Sequence, residues 1–103
     1  MYKRQQHDLS QAKLIAHDIE DPDYRSLAFL EIVKVEAQHD PNQAKLTAQN
    51  IEDPKERSEA FVEIVRVKAQ YDPNQAKLTA QTIEDPEAQS LAFLEIARVI
   101  PNH

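Results

Sequence analysis

The feature that most constrains this chain is that it repeats itself every 32 residues. QAKL stands at Gln11–Leu14, Gln43–Leu46 and Gln75–Leu78; IEDP stands at Ile19–Pro22, Ile51–Pro54 and Ile83–Pro86. An S-x-A-F-x-E-I block then begins at Ser26, Ser58 and Ser90. A unit of this size cannot bury its apolar face alone, so the expected fold is a stack in which neighbouring units share one continuous core. A chain of 103 residues has room for a single domain, 1–103. Its units fall at about 9–40, 41–72 and 73–103. Residues 1–8 read as the tail of a preceding unit, because Gln6, His7 and Asp8 match Gln38, His39 and Asp40. Such a start suits either a chain cut from a longer array or a first helix worn down to a lead-in. At the other end Pro101 stands where Ala69 stands one unit earlier, and a proline cannot continue a helix.

Each unit carries two aspartate signals, and each signal opens a run of good helix formers. In Asp53-Pro54-Lys55-Glu56 the aspartate can cap free N–H groups, the proline suits the first helical position, and the glutamate can reach back as in a capping box. Asp40-Pro41-Asn42-Gln43 and Asp72-Pro73-Asn74-Gln75 use glutamine in the same place. Asp21-Pro22 and Asp85-Pro86 lack the third-position partner, and Asp8 lacks the proline. Six starts predict about six helices, a short one of about 11 residues alternating with a longer one of about 16–18, antiparallel because the connections are so short. On the short helices Ala12, Ala16 and Ile19, with their equivalents Ala44, Ala48, Ile51 and Ala76, Ala80, Ile83, form one small apolar stripe. On the long helices Ala28, Phe29, Ile32, Val33 and Val35 cover more than one stripe, which implies contact with two neighbours. No segment alternates apolar and polar residues as a strand does. The predicted fold class is therefore all-α, an αα-hairpin repeat solenoid.

Composition removes several kinds of function. The absence of glycine excludes phosphate-cradling loops that need backbone at positive φ. The absence of cysteine excludes disulfides, thiolate metal sites and a cysteine nucleophile, and makes an intracellular, cytoplasmic setting the default. A net charge of −6 argues against a surface that tracks nucleic-acid phosphates, and no apolar run is long enough for a membrane span. No cofactor is expected. Ser26, Ser58 and Ser90 recur once per unit, as packing or backbone-bonding groups do and a single catalytic nucleophile does not. His7, His17, His39 and His103 show no metal-ligand spacing, and the six helix-start aspartates already have a structural role. The chain is thus expected not to be an enzyme.

The pattern resembles the tetratricopeptide repeat family, whose antiparallel helix pairs stack into a right-handed superhelix. Phe61 and Ile64 resemble the anchors of that family's first helix, Ala76, Ala80 and Ile83 resemble those of its second, and the proline of IEDP resembles the one that closes its repeat. The unit here is two residues shorter, has no tryptophan, and carries Val33, Val65 and Ala97 at the family's glycine position. The resemblance implies that the long helices line a concave groove. Leu30, Lys34 and Gln38 would then share one surface with Val62, Arg66 and Gln70, and with Leu94 and Arg98. Lys34, Arg66 and Arg98 form a column of positive charge that suits the acidic groups of a bound peptide, while the aliphatic residues take its side chains. The competing reading pairs each cation with the glutamate three residues before it, Glu31, Glu63 or Glu95. The expected function is a non-catalytic protein-interaction scaffold that binds a protein or peptide, an acidic one by this column. The alternative is a structural or self-assembly element whose apolar faces stack end to end, or a fragment of a longer repeat array; the expected state is a monomer or a weak end-to-end oligomer.

Overall fold

The computed structural model describes residues 9–100. Among them are six helices: α1 (Ser10–His17), α2 (Pro22–His39), α3 (Pro41–Gln49), α4 (Pro54–Ala69), α5 (Pro73–Gln81) and α6 (Pro86–Val99). No strand occurs among the described residues, so the chain is all-helical as predicted. None of these helices is long and apolar enough to cross a membrane.

Five of the six starts are the Asp-Pro signals. Asp21 accepts from the N–H groups of Asp23 and Tyr24, Asp53 from that of Lys55, and Asp85 from that of Ala88. Asp40 and Asp72 accept from Gln43 and Gln75, and a proline follows every one of these caps. Asp8 lies outside the described residues, and α1 begins after Leu9 with no side-chain cap.

The reciprocal half of the predicted capping box is not made. The Asp53 N–H donates to Ser26 Oγ of the preceding unit at 3.2 Å, and the Asp40 and Asp72 N–H groups donate to the carbonyls of Glu36 and Lys68 at 2.7 Å. With that donor spent on the preceding helix or unit, a third-position glutamate or glutamine has nothing to accept from. Ser26 is buried, and its backbone-bonding role joins two units.

The short helices run 8, 9 and 9 residues, less than the predicted length. Their last turns tighten, with Asn50 and Ile51 donating to Thr47 and Ala48, a three-residue spacing in place of four. Arg25 and Arg57 then cover the open carbonyls of the following turns, reaching Ile19 and Ile51 at 2.7 and 2.8 Å. In the third unit Gln89 instead donates to the Ala80 and Gln81 carbonyls at the end of α5, at 3.2 and 3.3 Å. The last long helix has only 14 residues because Ile100, before Pro101, is extended.

The long helices α2, α4 and α6 pack side by side in chain order. Helix α3 sits against both α2 and α4, α5 sits against both α4 and α6, and α1 packs on α2. The core follows from this nesting. Leu30, Val33 and Ala37 of α2 meet Ala44, Ala48 and Ile51 from α3 and its turn, and Ala60, Ile64 and Val67 of α4. One unit on, Val62, Val65 and Ala69 of α4 meet Ala76, Ala80, Ile83, Ala92 and Ile96. Alanine on the short helices lets three helices approach closely at each junction, and the bulky residues come from the long ones.

Candidate functional site

The outer faces of α2, α4 and α6 bound an open groove of about 1400 Å³. Its apolar floor includes Leu27, Leu30, Val62, Ala88 and Leu91, and two of these, Leu27 and Leu91, are exposed leucines. Small-molecule pockets measure about 300–1,000 Å³ and enclose their ligand, so a groove of this size and openness suits a length of chain better.

Four of the eight sequence-predicted site residues, Leu30, Lys34, Val62 and Arg66, lie in this groove. Leu94 and Arg98 sit further along α6 and are exposed outside its lining. Gln38 lines a smaller recess of about 480 Å³ at the far end of α2, and Gln70 is exposed where α4 ends. The mismatch arises because the groove slants toward the helix starts instead of following one sequence-equivalent row. Its remaining walls are the turns before α4 and α6: Asp53, Pro54 and Lys55, then Glu84, Asp85, Pro86 and Glu87. Sequence reasoning assigned those aspartates to capping alone. The signal that marks them is the IEDP turn itself, which sets a carboxylate beside each long helix start.

The cations of the column are already engaged. Lys34 pairs with Glu31 at 3.3 Å, Arg66 with Glu63 at 2.7 Å, and Arg98 with Glu95 at 3.4 Å. Arg66 also reaches Glu95 of the next unit at 3.3 Å. Burial opposes the charge on Arg66, but Glu95 and Glu63 outweigh it and raise the guanidinium pKa. The groove lining as a whole is acidic. Glu31, Asp53, Glu59, Glu63, Glu84, Asp85 and Glu87 face only Lys34, Lys55 and Arg66. Beside it, Glu56 has its pKa raised by a side-chain hydrogen bond with Glu59, by burial, and by the charges of Glu59 and Asp53, while Lys55 opposes.

Other titratable side chains take structural partners. His17 stacks edge-on against Phe29, ring centroids 4.9 Å apart. Among the described residues no group of histidines and carboxylates is placed to hold a metal ion. His7 and His103 lie outside those residues.

No protein-family model, curated protein or solved structure matches the chain.

Proposed function

We propose that this chain is a non-catalytic interaction module, a short αα-hairpin solenoid of tetratricopeptide-like kind whose groove holds an extended segment of another protein. The observation that carries the reading is the groove itself: one open channel across three successive long helices, with exposed leucines on its floor and charged walls. Grooves of this form recognise a peptide by seating its apolar side chains between polar contacts.

Charge complementarity sets the kind of segment. The cation column favours an acidic peptide only if its charges are free, and each of its members has a glutamate partner. Seven carboxylates against three cations in the lining favour a segment whose lysine or arginine side chains flank leucine-sized residues.

The reading is tested by fluorescence anisotropy with two labelled peptide pools of equal length and leucine content, one basic and one acidic. The expected result is saturable binding from the basic pool, weakened by salt and lost in a Leu27→Lys, Leu91→Lys variant of unchanged helicity. Preference for the acidic pool would restore the cation column as the recognition element. Binding of neither pool would remove the groove as a peptide site.

A further inference from the structure

The two ends of the helix array are complementary, and the internal junctions show how they fit. Leu30 of α2 and Val62 of α4 are covered by the following unit, 6% and 4% exposed, whereas their equivalent on α6, Leu94, is 46% exposed. The same step separates Val33 and Val65, both fully buried, from Ala97. Helix α6, the last of the described helices, therefore presents a face that is core elsewhere in the molecule.

At the opposite end stands the matching surface. The residues that cover α2 from the next long helix are Ala60, Ile64 and Val67. The equivalents on α2 are Ala28, Ile32 and Val35, identical side chains at the same spacing. Val35 is 38% exposed where Val67 is 8%, so Val35 is the open member of this set, while Ile32, 8% exposed, is already buried in the single chain. The short helix repeats the coincidence, since Ala12, Ala16 and Ile19 of the α1 region match the buried Ala44, Ala48 and Ile51.

A polar contact of the junction can also be re-made. Arg66 crosses from α4 to Glu95 on α6. A copy docked on α6 as α6 docks on α4 would set its Glu31 against Arg98, and both side chains are largely exposed and paired within their own helix, with Lys34 and Glu95.

The geometry points to a second copy of this chain as the occupant of the α6 face, docked through its α1–α2 end and re-creating the internal junction between chains. The contact is head-to-tail, each copy offering one end and keeping the other, so a dimer leaves both end faces open and assembly continues past two copies. This inference does not depend on the groove reading: Leu30, Glu31, Val62 and Arg66 also line the groove, but the face to be docked on α6, with Leu94 and Arg98, lies outside its lining.

Sedimentation velocity on the full chain, from micromolar to millimolar concentration, provides the test. The weight-average mass of the unaltered protein is expected to rise with concentration past twice the monomer mass. Leu94→Arg blocks one end and Val35→Arg blocks the other; both sites are exposed in the monomer, and unchanged circular dichroism checks the fold. Each variant alone is expected to remain monomeric, while an equal mixture of the two forms a one-to-one dimer and stops there. Reversing Arg98→Glu is expected to weaken assembly, and adding Glu31→Arg to restore it. An unaltered protein that stays monomeric throughout, assembly that stops at a dimer, or growth by either blocked variant alone overturns the inference.

Discussion

Lys68 marks a place where two units with the same helices make opposite electrostatic choices. In the first unit Glu36 is buried between α1, α2 and α3, accepting from Lys13 Nζ at 2.9 Å and Thr47 Oγ1 at 2.7 Å. One repeat later the equivalent residues are Lys45, Lys68 and Thr79. The lysine and the hydroxyl persist, but the carboxylate has become a second cation. Burial, and then the charge of Lys45, push the Lys68 pKa below the ordinary lysine value, with Asp72 opposing. Lys68→Glu removes that repulsion and supplies an acceptor to Lys45 and Thr79. Two hydrogen bonds to a charged group are worth about 1.5–3 kcal/mol each, less the cost of drying a partly buried carboxylate, for a net gain of about 1–2 kcal/mol. At about 4–8 °C per kcal/mol for a domain near this size, the Tm should rise by about 4–16 °C at neutral pH. Thermal unfolding followed by circular dichroism reads this directly. The pH dependence carries a second signature. A lysine whose folded pKa is depressed destabilises the fold while it is charged, so the unaltered protein should gain stability as pH climbs through that value toward the ordinary lysine range. The variant should lack this gain. Adding Lys45→Met should cancel most of the Tm increase. A Tm that is unchanged or lower in Lys68→Glu would refute the idea that equivalent positions in the two units share one geometry.

Ile64→Ala empties the middle of the first core cluster, where Ile64 is fully buried, and should cost about 2–5 kcal/mol in a urea titration. Ser26→Ala leaves the Asp53 N–H without its acceptor at the unit boundary and should cost about 1–3 kcal/mol. Glu59→Gln should stabilise the protein more at neutral than at acid pH. The raised Glu56 pKa means that stability is lost as pH rises from the ordinary glutamate range through the raised value. An amide at position 59 removes the repulsion and offers a donor to Glu56 Oε1, which is buried with no hydrogen-bond partner, so a Tm difference that does not grow with pH would count against it.

Much of the candidate site was legible only in part. The pairs Glu31–Lys34, Glu63–Arg66 and Glu95–Arg98 could be written from the sequence because helix geometry places such neighbours together whatever the tertiary fold. The Arg66–Glu95 contact could not, since its partners are separated by a whole short helix and meet only when α4 and α6 lie side by side. The acidic character of the groove was hidden for a related reason. Asp53 and Asp85 announce themselves as caps, and nothing local says that the turns holding them will form walls around the leucines of the long helices.

What the sequence alone determined is the part governed by short-range forces: the Asp-Pro starts, the alternation of short and long helices, and the small and large apolar stripes that make them stick. Each of these depends on residues within a turn or two of one another. Tertiary structure decided which acceptor the Asp53 N–H finds, where the groove runs, that Glu36 pairs with Lys13 where Lys68 faces the like charge of Lys45, and that Leu94 stands open where Leu30 and Val62 are covered. Those outcomes depend on which faces of different helices meet, Lys13 with Glu36 across 23 residues of chain and Asp53 with Ser26 across 27, and equivalent positions share a sequence pattern without sharing neighbours.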